Sequence, residues 1–234
     1  MKQGNGAAAT RLHARASTRK NLDRLLMKAA ALIAEKGYEA TSMRDLSTAT
    51  NKSLAGLYHY FTSKEDLLFQ LQYRTFVSLL EEQEKIAALP GTPEERFTRL
   101  LIGHLTFYAR HTNELKACTF EMESLNGDLY RTIEEPRRRY YKLMTSVVGE
   151  VIDGPRSSRR ESRESRHATL FIFGMLNWIF MWYHPARHGP VERLGEEMRD
   201  LVLNGLRRAR RRHVVLTRGR AKTPGHEVQV RAVQ

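Results

Sequence analysis

The chain has 234 residues, 41% of them hydrophobic, and a formal net charge of +13, so it is long and apolar enough for a globular fold with one large domain or two smaller ones. Its one cysteine, Cys118, excludes an internal disulfide framework and a cysteine zinc site, and the expected compartment is the reducing cytoplasm. The charge sits at the ends: Lys2, Arg11, Arg15 and Arg19 face no acid over 1–19, nine basic residues face only Glu227 over 207–234, and the middle is nearly neutral. Such ends either hold a protein near DNA by counterion release or act as solubilising tails, and charge alone leaves both open.

The stretch MKQGNGAAATRLHARASTRK has no apolar run of the signal-peptide kind, and 1–18 is expected to be a disordered basic arm. Helical periodicity starts at Lys20 and runs to Lys36, with Leu22, Leu25, Leu26, Ala29, Leu32 and Ile33 on one face and Gly37 as the left-handed C-cap. Ser42 with Asp45 three residues on predicts a capped short helix to about Ala49. Asn51, tolerant of positive φ, suits the following turn, and Ser53 caps a second short helix ending near Tyr60. Ser63, with Glu65 and Asp66 in the first turn, opens a helix to about Ala88.

Thr92 as N-cap and Pro93 at the first helical position predict the next helix, carrying Phe97, Leu100, Leu101, Leu105 and Tyr108. A helix or pair covers 113–152, with a break or kink at Pro136, and 153–166 is the long connection or in part the start of the next helix. A helix over His167–Tyr183 is apolar nearly all round and must be covered on every side, by its own chain or by a partner subunit. Its apolar run, 168–183, is shorter than the roughly 20 residues a spanning helix needs, so no membrane partner is expected. A last helix, Val191–Arg212, carries the stripe Leu194, Met198, Leu201, Val202 and Leu206, and 213–234 reads as a disordered basic tail. Strand signals are almost absent, and the fold class is all-α.

Two short helices joined by a tight turn have the form of a helix-turn-helix, although most short helical hairpins read no DNA. The string SMRDLSTATNKSLAGLYHYFTSKEDL resembles the TetR family of transcriptional repressors, whose second helix ends in Leu-Tyr-x-x-Phe followed by x-Ser-Lys-Glu-x-Leu. The family's turn glycine is here Asn51, its valine is Lys52, and its recognition-helix glycine is shifted to Gly56 after Ala55. The resemblance implies a three-helix DNA-binding domain over 19–79 and a helical effector-binding and dimerisation domain over 80–212. It also implies a homodimer on a palindromic double-stranded DNA operator.

On that reading Lys52, Leu54, Ala55, Gly56 and His59 face base edges in the major groove, while Ser42, Arg44, Ser53, Tyr58, Tyr60 and Lys64 hold phosphates. Tyr60 either takes that role or packs on the first helix, and Lys52 either snorkels or reaches DNA. The string GMLNWIFMWYHPARHGPV resembles a TetR subgroup responsive to acyl-CoA thioesters of fatty-acid or steroid breakdown. This implies a small apolar effector, an acyl-CoA, in a tunnel lined by Phe107, Tyr108, Phe120, Met122, Tyr141, Met144, Met175, Asn177 and Trp178. A basic rim for phosphates would lie at Arg137 to Arg139. The same aromatics and methionines can equally fill a core.

Catalysis has little support. His104 and His111, and His184 and His188 around Pro185, lack a carboxylate or cysteine at metal spacing and read as surface or helix-end histidines. Neither a metal nor a cofactor is called for. A helical ligand-binding or general nucleic-acid-binding protein without operator specificity stays open, and an enzyme acting on acyl thioesters is a more distant class.

Overall fold

The computed structural model describes the backbone over 4–154 and 161–220, and side chains over 19–154 and 161–205. Ten α-helices follow one another among the described residues: α1 (Gly4–Lys36), α2 (Met43–Thr50), α3 (Leu54–Tyr58), α4 (Lys64–Ala87), α5 (Pro93–Arg110), α6 (Thr112–Phe120), α7 (Gly127–Asp153), α8 (Arg163–Asn177), α9 (Pro185–His188) and α10 (Val191–Arg220). A short 3-10 turn, Ile179–Met181, separates α8 from α9.

Local chemistry starts the helices where the sequence places the caps. Ser42 and Asp45 form a reciprocal capping box, as do Thr92 and Glu95, and Ser53, Ser63 and Ser162 each accept a backbone N–H from the first turn. Hydrogen bonds from the Ser42 side chain and backbone hold the Asp45 carboxyl below its ordinary range, and the Thr92 backbone N–H does the same for Glu95. Asn51 takes the left-handed conformation, φ 54 and ψ 42, that the turn between α2 and α3 requires.

Several expected boundaries move. α1 extends back to Gly4 through part of the arm expected to be disordered, since Ala7, Ala8, Ala9, Ala14 and Ala16 supply helix propensity there. α10 likewise continues to Arg220, beyond the expected end at Arg212. Residues 1–3, 155–160 and 221–234 of the expected arm, connection and tail lie outside the described residues, as does the Leu206 side chain. The span 113–152 resolves into α6 and α7, and α7 runs through Pro136 with the ring buried. α8 starts at Arg163, because Ser162 caps it, and ends at Asn177 rather than Tyr183.

Two apolar clusters organise the packing. One gathers Leu25, Ala29, Ile33, Leu46, Leu57, Phe61 and Leu68 from α1 to α4 together with Ala117, Leu125 and Ile133 of the following segments. The other joins Leu79 and Leu80 of α4 to Leu100, Leu101 and Leu105 of α5, Met144 and Val148 of α7, Ile172 and Leu176 of α8, and Met198 and Val202 of α10. α4 therefore contributes to both. α8 buries Ser165, Thr169, Ile172 and Leu176 but leaves Leu170 and Phe171 exposed, so one chain does not cover it on every side. Phe171 is 71% exposed, and Leu201 of α10 turns out of the expected stripe at 69%.

α10 meets α5 at close range: a Cβ on Gly195 would lie 2.7 Å from Ile102 Cγ1 and 3.5 Å from its Cα. Gly195→Ala gains about 1 kcal/mol of helix propensity, but overpacking there costs about 1–3 kcal/mol. The expected net result is a lower midpoint in thermal unfolding, and a raised midpoint would show that α10 is not held this tightly on α5.

Candidate nucleic-acid interface and ligand cavity

α2 and α3 meet at a short turn tied by Lys52 N–H to Ser47 O at 3.1 Å and by the Ser47 hydroxyl to Lys52 O. This presents Ser42, Arg44, Ser53, Ala55, Tyr58 and His59 to solvent on one side, with Leu57 and Phe61 buried on the other. Tyr58 is exposed by half, at 51%, with its phenol free to meet solvent or a ligand. Leu54 and Tyr60 pack partly against the domain core, and Gly56 is half-buried beneath the Ser53 hydroxyl. Lys52 Nζ lies 5.8 Å over the Tyr60 ring, and His59 meets the same ring edge-on at 5.4 Å. Tyr60 thus joins the core to its two polar neighbours.

Lys64, at the start of α4, is drawn back onto the domain. Its Nζ sits 4.2 Å over the Tyr38 ring, donates to Glu39 O at 3.3 Å, and pairs loosely with the Glu39 carboxylate at 4.0 Å. Tyr38 in turn donates its backbone N–H to Glu121 Oε1 at 3.0 Å, and Gln72, almost fully buried, donates to Glu121 O at 2.7 Å. Glu121, directly after α6, therefore ties the end of α1 and the middle of α4 to the C-terminal body.

On the other side of α6 lies a cavity of about 230 Å³, lined mainly from α4, α5, α6, α7 and α8. Of the expected tunnel residues, Tyr108, Met122, Tyr141 and Asn177 line it. Five do not. Phe107, about 100° around α5 from Tyr108, faces a separate groove beside Arg74 and His111. Met144 is sealed in the core and Met175 packs against it. Phe120 and Trp178 are each about half exposed, since α6 and α8 end there and the chain turns outward, and both meet Phe180.

The sequence does not single out Phe76, Leu79, His104, Leu115, Thr119, Pro136, Tyr140 and Phe173 for this cavity, yet they line it together with the expected residues and Arg137. His104 is no surface histidine. It continues the buried stripe Phe97, Leu100, Leu101, Leu105 and Tyr108 of α5, and that phase is the signal that marks it. Its Nδ1 is 2.7 Å from the Tyr140 hydroxyl, its ring stacks on Tyr108 at 4.7 Å, and burial lowers its pKa to about 3, so the imidazole is neutral. Burial also raises the Tyr108 and Tyr140 phenols, Tyr140 well above the ordinary value, and keeps both protonated. The Tyr108 hydroxyl donates to Asn177 Oδ1 at 3.1 Å, which gives the Asn177 amide one of the partners it needs.

Of the three expected rim arginines, Arg138 pairs with Glu135 and Arg139 with Glu84. Arg137 alone of these lines the cavity, its guanidinium on the Phe76 ring at 5.4 Å and 2.7 Å from the Met122 sulfur, with no carboxylate paired to it among the described residues. An unpaired guanidinium at an apolar cavity suits a ligand with an anionic end. Among the described residues no His, Cys, Asp and Glu cluster could hold a metal, and no helix is long and apolar enough to cross a membrane.

Comparison with known proteins gives this geometry a family. The family model described as "Bacterial regulatory proteins, tetR family" matches residues 25–71, and that described as "Tetracyclin repressor-like, C-terminal domain" matches residues 90–231. The HTH-type transcriptional repressor KstR2 of Mycolicibacterium smegmatis is 26% identical over 190 residues, covering 79% of this chain and 89% of that protein. The crystal structure of the TetR family regulator PfmR from Thermus thermophilus superposes with a TM-score of 0.69 at 28% identity, covering 77% of this chain and 97% of that one. AibR, solved in complex with isovaleryl coenzyme A and operator DNA, shares the fold with a TM-score of 0.68 at 22% identity over 77% of this chain and 97% of its own. With both halves of the chain matched, and the second match alone spanning more than half of it, this protein belongs to the TetR family of bacterial regulatory proteins.

Proposed function

We propose that the protein is a homodimeric repressor whose α3 enters the major groove of each half of a palindromic operator, and which a small apolar effector, an acyl-CoA, releases. The observation that carries this reading is the double use of α6: Leu115 and Thr119 line the cavity, while Ala117 packs in the core shared with α1 to α4. A ligand that moves α6 must move Glu121, and with it Tyr38, against which Lys64 rests. The AibR complex, with an acyl-CoA and operator DNA on one fold, supports the same pairing of ligands.

Within the interface, Ala55 and His59 are the base-facing candidates, since both are exposed on or next to α3, whereas Leu54 packs inward. Lys52 and Gly56, both half-buried, flank them, and Gly56, without a side chain, allows close backbone approach. Ser42, Arg44, Ser53, Tyr58 and Lys64 are assigned to phosphates, and Tyr60 to orienting Lys52. Tyr58→Phe should therefore weaken binding about equally on the protein's own upstream promoter and on random duplex. His59→Ala should instead change the ratio between them by about 1–3 kcal/mol. Equal losses for both variants in fluorescence anisotropy would contradict the division of roles.

The exposed apolar face of α8 and α10 supports dimerisation. Burying what Leu170, Phe171, Trp178 and Leu201 still expose gains about 1–2 kcal/mol each, doubled by a two-fold axis, which is of the same order as an association cost of about 4–15 kcal/mol. Phe171→Glu with Leu201→Glu is expected to halve the mass seen by light scattering and to abolish high-affinity promoter binding. A doubly substituted chain that stays dimeric places the interface elsewhere.

Release requires the effector to bind one conformation better than the other; a 100-fold difference corresponds to about 2.7 kcal/mol. Glu121→Ala removes the carboxylate that accepts from Tyr38. The variant should keep most of its promoter affinity yet lose most of its response to isovaleryl-CoA, hexanoyl-CoA or palmitoyl-CoA, whichever releases the native protein. An undiminished response would remove Glu121 from the coupling.

A further inference from the structure

One polar atom in the cavity wall is not accounted for by the fold. His104 lines the cavity and is almost entirely buried, yet its Nε2 has no hydrogen-bond partner among the described residues and exposes almost no surface, so a ligand atom reaches it only where the side chains around it shift. A buried ring nitrogen without a partner is costly, and native proteins seldom leave one without a reason.

The hydrogen-bond inventory fixes what that nitrogen offers. A neutral imidazole has one N–H and one lone pair. The Tyr140 hydroxyl has no acceptor among the described residues except His104 Nδ1, 2.7 Å away. If Nδ1 carried the proton, both the Tyr140 O–H and the Nε2 lone pair would be left unmatched. If Tyr140 donates to Nδ1, only one group is unmatched, the Nε2–H. The second arrangement is favoured, and it makes His104 a fixed donor held in place by Tyr140 and by the Tyr108 ring.

We infer that His104 Nε2–H donates to a carbonyl oxygen in the acyl part of the effector, so that the cavity selects carbonyl-bearing acyl groups over plain alkyl chains of equal length. This rests on the acyl-CoA reading above. The rest of the lining agrees: Phe76, Leu79, Leu115 and Phe173 offer hydrocarbon contact, and Arg137 offers an unpaired cation to the anionic end. Two carbonyls present the same chemistry, the thioester itself and an oxo group further along the chain.

The test is calorimetric titration of the full-length protein with three probes of one chain length: S-hexyl-CoA, a thioether without a carbonyl, hexanoyl-CoA, and 3-oxohexanoyl-CoA. The native protein should bind at least one carbonyl probe about tenfold tighter than the thioether, the worth of one buried neutral hydrogen bond. His104→Phe leaves the Tyr140 hydroxyl buried alone, so the informative variant is His104→Phe with Tyr140→Phe, which removes both partners together. In that variant the preference for carbonyl probes over the thioether, read as a ratio of affinities, should vanish. A preference for both carbonyl probes locates the thioester as the acceptor; a preference for 3-oxohexanoyl-CoA alone locates the chain oxo group. Three equal affinities in the native protein, or an equal loss on all three probes in the variant, overturn the inference while leaving the acyl-CoA reading intact. Binding of none of the three overturns the inference, and the acyl-CoA reading falls with it if isovaleryl-CoA and palmitoyl-CoA also fail to bind.

Discussion

Two elements join the halves of this molecule: the long helix α4, which contributes to both apolar clusters, and the nine-residue α6, which packs between the cavity and the core of the first four helices. α6 carries Leu115 and Thr119 toward the cavity and Ala117 toward the core of the first four helices, and the residue after it, Glu121, accepts hydrogen bonds from both Tyr38 and Gln72. Cys118 is buried in the same wall, where desolvation pushes its thiol up to about 12 and makes it an inert packing group. A helix fixed on both faces cannot absorb a change on one without transmitting it, because close-packed cores are bistable and hardly compressible. The short length matters too. Nine residues are too few to be stable alone, so α6 takes its position from its neighbours and shifts with them.

That arrangement also explains why the cavity can be polar at single points without destabilising the body. Tyr108, Tyr140 and His104 form a stacked aromatic group whose hydroxyls and ring nitrogen are matched to one another or to Asn177, leaving one donor over. A fully apolar lining would hold hydrocarbon without orienting it. A single fixed donor orients a ligand at the cost of one unmatched group in the empty protein, and a bound partner recovers that cost.

The parts of this fold that were legible in the sequence are those whose causes are local. Ser42 with Asp45, Asn51, Ser53, Ser63 and Thr92 with Glu95 act over three or four residues, and each helix start follows from them. The division of α3 into buried Leu57 and exposed Tyr58 follows equally from helical phase. The cavity was less legible, because its walls come from five helices and chemical type does not say which side a ring faces. Phe107 and Tyr108 are neighbours of the same kind, yet only Tyr108 reaches the cavity. His104 was hidden for the opposite reason: a titratable residue invites a surface reading, although its position in the α5 stripe called for burial. The extensions of α1 and α10 were missed because charge was weighed above alanine content and helical continuity.

The outward face of α8 and α10 sets the last constraint. Phe171 and Leu201 are the two most exposed large apolar side chains among the described residues, each about 70% exposed. If a second copy covers that face, as proposed, the two α3 helices are held at a distance set by the rigid bundle between them. A two-fold operator then reads that distance as well as its base sequence. An effector can thus act on DNA affinity without touching a base-reading residue, and no side chain at the groove has to differ between the bound and the released state.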